Sequence, residues 1–177
     1  QDASGQTPIF SSVKEAEKRI LADETSKSYL AIDGSPQYGS AVQSLIFGED
    51  HEISSSQRAI TVQSPGGTGA LRIAGDFLQR HYGGARLWLS QPTWANHPKI
   101  FQAAGLELGI YPYFDAANNS LDFAAMLDAL KQVPAGDVVL LHGCCHNPTG
   151  IDPTPEQWAQ IADVAQAQGW LPLVDFA

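Results

Sequence analysis

The chain has 177 residues, 44% of them hydrophobic and 16% charged, which is enough apolar material for a globular domain with a real core and argues against a disordered segment. Ten Lys and Arg against nineteen Asp and Glu give a formal charge of −9. No basic cluster interrupts that background, which argues against a nucleic-acid or anionic-membrane surface and points to a small ligand, with local backbone donors needed if it is an anion.

No run approaches the ~18–20 apolar residues of a membrane span, and residues 1–5 lack the basic start and apolar stretch of a secretory leader. The expectation is a cytoplasmic protein. Residues 11–24 are rich in helix formers and put Val13, Ala16, Ile20 and Leu21 near one face, which predicts a surface helix that Ser12 could cap. Residues 34–39 read as a turn and 40–47 as a helix; no repeat or low-complexity linker follows.

From residue 58 strand and helix patterns alternate. Residues 58–63 are β-prone, Pro65-Gly66-Gly67 breaks the chain, and 68–80 predict a helix with Leu71, Ala74, Phe77 and Leu78 at three-to-four spacing. Further strands are expected over 86–90, 106–113, 138–141 and 170–174, and helices over 97–104, 123–132 and 155–168. This alternation predicts a three-layer, doubly wound, mostly parallel α/β sheet. Ligand chemistry then belongs where strands end and helices begin.

Four such junctions carry chemistry. Gly66, Gly67 and Thr68 stand at a helix start, where amide N–H groups and the positive dipole end favour a phosphate. A plain glycine turn with Thr68 as N-cap is the competing reading, and the spacing fits neither the dinucleotide fingerprint nor a Walker loop. Trp94 and His97 follow a strand; an indole there could stack on a planar ring, or both could simply pack. The run His142-Gly143-Cys144-Cys145-His146-Asn147-Pro148-Thr149-Gly150 follows four apolar residues and precedes a helix cap at Thr154. Zinc is disfavoured, because its structural sites draw ligands from two separated pairs. The two cysteines are adjacent, which discourages a disulfide, and they read as small buried packing groups. Asp175 ends an apolar strand, where a carboxylate is costly unless it meets a cation.

Residues 29–34, 67–72, Asn96-His97, 142–152 and 170–177, taken in order, resemble the aspartate and aromatic amino acid aminotransferases, pyridoxal-phosphate enzymes of fold type I. The likeness runs through essentially the whole chain, and 142–152 is its most specific segment. It implies that residues 51–177 are the N-terminal part of the large cofactor-binding domain and residues 1–50 a helical part near a subunit interface. Pyridoxal 5'-phosphate is the implied cofactor. By resemblance, Gly66, Gly67 and Thr68 hold its phosphate, Trp94 stacks on its ring, Asn147 donates to its phenolic oxygen and Asp175 pairs with its ring nitrogen. His97 and His142 orient Asp175 and the ring-contacting loop. Tyr29 reaches the phosphate of the neighbouring subunit's cofactor, which implies a homodimer with shared active sites. The implied substrates are an L-amino acid, aspartate or aromatic, and a 2-oxo acid; Thr68 leans toward the aspartate-like branch.

The departures matter as much. The family's cofactor-bound lysine, its substrate-binding arginine and an upstream glycine-rich segment have no counterpart here, and Lys14, Lys18, Lys27, Lys99 and Lys131 fall on segments unlike the lysine motif. The expectation is a fragment whose C-terminal half is absent, with the catalytic lysine beyond Ala177 and no transamination by this chain alone. Two other functions stay open: a decarboxylase or lyase on the same fold, because cofactor-holding residues do not decide which bond at Cα breaks, and a non-catalytic phosphate-binding module.

Overall fold

The structure, a computed structural model, describes residues 4–176, so readings that touch residues 1–3 or Ala177 lie outside the described residues. Two compact units form, Gln1–Gln63 and Ser64–Ala177. The first contains helices α1 (Ser11–Asp23), α2 (Pro36–Phe47) and α3 (Glu52–Ser55). Surface ion pairs Lys14–Glu17 at 2.8 Å and Arg19–Glu15 at 3.0 Å brace α1, each worth a few tenths of a kcal/mol, roughly. Its N-cap is Phe10 with no side-chain bond, so Ser12 lies inside the helix instead of capping it. In α2 the expected turn is absorbed into the helix: Ser35 accepts from the Tyr38 amide and Pro36 occupies the first turn, where its missing N–H costs nothing. No residue of α1, α2 or α3 is buried.

Residues 58–63 form no strand. A strand needs a ladder of partners, and here the Arg58 amide turns back to the Ile53 carbonyl while the Gln63 amide reaches the Asp33 carbonyl. The β-branched composition was compatible with a strand but supplied no neighbour.

The second unit runs α4 (Gly66–His81), β1 (Arg86–Gln91), α5 (Asn96–Ala103), β2 (Glu107–Pro112), β3 (Phe114–Asp115), β4 (Ser120–Leu121), α6 (Phe123–Leu130), β5 (Val138–His142), α7 (Pro155–Gln168) and β6 (Leu171–Asp175). Four strands form one sheet in the order β2-β1-β5-β6, every neighbouring pair parallel. The chain moves outward from β1 to β2 and then returns past β1 to β5, so the strand order reverses between β1 and β5. Open α/β sheets leave a crevice at such a reversal.

Every residue of β5 is buried, as expected of a strand covered on both faces. Val139 and Leu141 join a core with Tyr111, Met126, Leu130, Ile161 and Trp170. Val138 and Leu140 join the opposite core with Leu71, Leu78, Leu87, Leu89 and Phe101. Helices α6 and α7 thus cover one face, and α4 and α5 the other. Gly75 permits the close α4–α5 approach, since a Cβ there would lie 3.0 Å from Ala104 Cβ and 3.2 Å from Phe101 Cδ1. A capping box of Thr154 and Gln157, Pro155 in the first turn and Gly169 in the left-handed C-cap bound α7 as expected.

The β3–β4 hairpin was not anticipated from sequence. Two-residue strands show no periodicity, although Asp115, which accepts from the Ala117 and Asn118 amides, marks the turn. Among the described residues no helix is long and apolar enough to cross a membrane.

Leu140→Ala should destabilise the protein by about 2–5 kcal/mol through the cavity left in a fully buried site. Ile110→Ala, on a side chain 62% exposed, should cost under about 1 kcal/mol. Equilibrium urea unfolding of the two variants measures the contrast, and equal losses would contradict the two-faced burial of β5.

Candidate active site

The reversal between β1 and β5 brings several loops to one edge of the sheet. β1 leads into Pro92, Thr93 and Trp94; β5 leads into residues 143–150; β6 ends on Asp175, paired in register with His142. With the first turn of α4 they enclose a cavity of about 370 Å³, lined by Gly67, Thr68, Leu71, Trp94, His142, Cys144, Cys145, Asn147 and Asp175.

Asp175 is held from behind. His97 is wholly buried and its Nε2 lies 2.9 Å from Asp175 Oδ2, whose side chain keeps 22% exposure. Thr93 Oγ1 lies 2.8 Å from His97 Nδ1 and 3.1 Å from His142 Nε2, and the Asn147 amide donates to His142 Nδ1 at 3.2 Å. These contacts have one consistent direction. A carboxylate only accepts, so His97 Nε2 carries the proton and Nδ1 accepts from the Thr93 hydroxyl. That hydroxyl has one proton to give, so its oxygen accepts from His142 Nε2–H. His142 Nδ1 is then the acceptor that the Asn147 amide requires. Asn147, His142, Thr93 and His97 form one uninterrupted donor sequence ending on Asp175.

A second chain lies beside the first. Ser90 Oγ donates to the Pro92 carbonyl at 2.9 Å and therefore accepts from His146 Nε2 at 3.0 Å, leaving His146 Nδ1 to accept from Thr149 Oγ1 at 2.9 Å. Tyr113 stacks on His146 with ring centroids 3.8 Å apart. Asp152 receives the amides of Cys145 and His146 at 2.7 and 2.8 Å. Burial, reinforced by neighbouring imidazoles, lowers His142 and His146 to about 4. Both are neutral at pH 7, as the single-donor assignments require.

Of the residues anticipated from sequence, Gly67, Thr68, Trp94, His142, Asn147 and Asp175 meet at one cavity, and His97 stands directly behind Asp175. Gly66 opens α4 with φ +76° and donates to the Ser64 carbonyl. Thr68 is not the N-cap; Pro65 holds that position without a side-chain bond, and Thr68 sits within the first turn. Tyr29 is fully exposed in the first unit. The cysteines are not buried packing groups: Cys144 is half-buried and Cys145 exposed, because the loop turns at Cys145 with φ +51° and puts both on the cavity wall. Sequence reading gave no role to Thr93, Ser90, Tyr113 or Asp152, and weighed His146 only within the disfavoured zinc reading. Only the i, i+4 spacing of Thr93 and His97 was visible beforehand.

The cavity stands at the reversal of a parallel sheet, where open α/β folds bind ligands. The chain belongs to the aminotransferase class I and II family, whose model matches residues 1–177. It is 52% identical over 177 residues to the aspartate aminotransferase of Escherichia coli strain K12, covering 100% of this chain and 45% of the relative. It is 48% identical over 177 residues to the aromatic-amino-acid aminotransferase of Pseudomonas aeruginosa, covering 100% and 44%. Its structure is similar to that of the aromatic-amino-acid aminotransferase of Burkholderia pseudomallei covalently bound to pyridoxal phosphate, with a TM-score of 0.95 at 41% identity, covering 100% of this chain and 44% of that one. The chain thus spans a little under half the length of the relatives it matches.

Protonating His142 or His146 would turn an acceptor nitrogen into a donor aimed at another donor. Between the ordinary histidine value of 6.5 and the folded value of about 4, the unfolded chain binds more protons than the folded one. Stability is therefore full above pH 6.5 and falls as pH drops through that window. Melting temperature should decline between pH 6.5 and 5, ahead of the carboxylates, and a His142→Gln/His146→Gln variant should show a flatter decline over the same interval. An unchanged slope in that variant would contradict the assignment.

Proposed function

We propose that the protein containing this chain is a pyridoxal-phosphate-dependent aminotransferase that moves the amino group between an L-amino acid, aspartate or aromatic, and a 2-oxo acid. The observation that carries this reading is Asp175, a carboxylate on the cavity wall whose orientation is fixed by buried His97. The residues fit the cofactor on chemical grounds. A Cβ added at Gly66 or Gly67 would meet no protein atom within 4 Å, so open space lies in front of a helix start suited to a phosphate. Trp94 offers an indole face, Asn147 a carboxamide donor for a phenolic oxygen, and Asp175 an anion for a protonated ring nitrogen.

When bound, pyridoxal phosphate supplies an electron sink for the pair left at a substrate Cα, and the sink depends on the protonated ring nitrogen. Asp175 would hold that proton in place. His97 prevents the carboxylate from turning away, and Thr93 fixes the tautomer of His97 by donating to Nδ1. His142, neutral and anchored by the Asn147 amide, couples the same hydroxyl to the loop that presents the Asn147 side chain. The amides of Gly67 and Thr68 would hold the phosphate at the start of α4, with Trp94 and the β5 loop lining the same cavity.

The covalent lysine and the arginine for the substrate carboxylate belong, in this proposal, to the part of the relatives' length that the chain does not span. A homodimer with shared active sites is also proposed, with exposed Tyr29 directed to the neighbouring subunit's cofactor phosphate. A cytoplasmic location completes the reading and suits Cys144 and Cys145, carried as thiols. Both aspartate and aromatic aminotransferases lie at comparable identity, so either side chain is proposed as substrate.

In the full-length protein, Asp175→Ala should lower turnover with aspartate or tyrosine by at least ~100-fold, equivalent to about 2.7 kcal/mol of transition-state stabilisation. Near-normal turnover in a cofactor-loaded variant would defeat the reading. Gly67→Val should weaken cofactor affinity, followed by absorbance titration, by about 10-fold or more, whereas Thr68→Ser should change it little. Equal affinity in all three proteins would reject the phosphate cradle.

A further inference from the structure

We propose that Cys144 and Cys145 form a dithiol site that captures monosubstituted trivalent arsenicals at the cavity wall. The two residues are consecutive, both line the cavity, and Cys145 is exposed to the incoming reagent. Because the two residues are adjacent and line the same cavity, ordinary side-chain rotation can bring both sulfurs to one three-coordinate arsenic. Asp152 fixes the backbone beneath them, because its two carboxylate oxygens take the amides of Cys145 and His146. That clamp holds Cys145 at φ +51° and pre-organises the pair, so little freedom is lost on chelation.

Redox chemistry is not required. Desolvation and the contact with Cys145 raise the Cys144 thiol above its ordinary value, so Cys144 keeps its proton at neutral pH. An oxo-arsenical R–As=O condenses with two S–H groups: two As–S bonds form, the As=O bond breaks, and the oxygen leaves as water with the two thiol protons. Arsenic remains trivalent throughout. A direct Cys144–Cys145 disulfide would instead need distorted backbone between neighbours, at a loop that Asp152 already holds.

The thiols share their cavity with Trp94 and Asp175, so an aryl arsenical there and a planar phosphorylated ligand exclude each other. This second part rests on the cofactor reading above. The test uses the full-length protein, phenylarsine oxide, a thiol count and peptide mass mapping. Two thiols should disappear per arsenic, the adduct should map to residues 143–152, and it should survive excess monothiol but be released by 2,3-dimercaptopropanol. Cys144→Ser and Cys145→Ser, with folding checked by circular dichroism, should each lower retention after a monothiol wash by about 10-fold or more, since one sulfur forfeits the effective concentration of its neighbour. Undiminished retention in either variant, or an adduct elsewhere, overturns the dithiol site. Protein loaded with pyridoxal phosphate, verified by its absorbance, should be captured about 10-fold more slowly. An unchanged rate with the absorbance present overturns the shared cavity, while absence of the absorbance counts against the cofactor reading and leaves the thiol count to decide the site.

Discussion

The hydrogen bond between His97 Nε2 and Asp175 Oδ2, 2.9 Å long and closed off from solvent on the histidine side, is the contact on which the rest of the site depends. A carboxylate at the end of an apolar strand is a liability unless something fixes its direction and something cationic meets it. His97 does the first from behind. Thr93 occupies its other nitrogen and so fixes the ring, and His142, by donating to Thr93, leaves the hydroxyl proton for His97. The Asn147 amide needs His142 Nδ1 as an acceptor, so the neutrality of His142 is a requirement of the geometry as well as a result of burial.

The series also ties fold to site. His97 begins α5, Thr93 follows β1, Asn147 follows β5 and Asp175 ends β6. These segments are distant in the chain and become neighbours because the strand order reverses between β1 and β5. The two faces of β5, Val138 and Leu140 on one side and Val139 and Leu141 on the other, lock that strand between two helical layers. Burial of apolar side chains therefore sets the position of polar ones a residue or two beyond the strand end. The loop after β5 is stiffened further by Asp152, by the stack of Tyr113 on His146 and by the Ser90–His146–Thr149 chain. Membership of the aminotransferase class I and II family fits a site assembled in this way.

The regular elements of the second unit were legible in the sequence. Helix α7 is bounded by Thr154, Pro155, Gln157 and Gly169, each a local signal with a local cause, and the alternation of strand and helix from residue 86 could only be satisfied by crossovers onto a parallel sheet. Residues 58–63 misled, because β-branched composition says what a segment tolerates and not whether a neighbour pairs with it. Ser12 misled as a cap, and the competing reading of Thr68 as a cap fails too: they lie two and three residues past Phe10 and Pro65, which hold the cap positions without a side-chain bond.

The sequence by itself determined which residue types stood at strand ends and helix starts, and hence that Gly67, Trp94, Asn147 and Asp175 were the candidates, since those positions follow from local periodicity and turn chemistry. It also carried the family resemblance in residues 142–152. Only the tertiary structure decided that Thr93 joins two histidines, that His146 is sealed against Tyr113, and that Cys144 and Cys145 face the cavity instead of the core. Hydrogen-bond direction and side-chain exposure depend on what the sheet brings within about 3 Å, and partners separated by 49 to 78 positions leave no periodic trace along the chain.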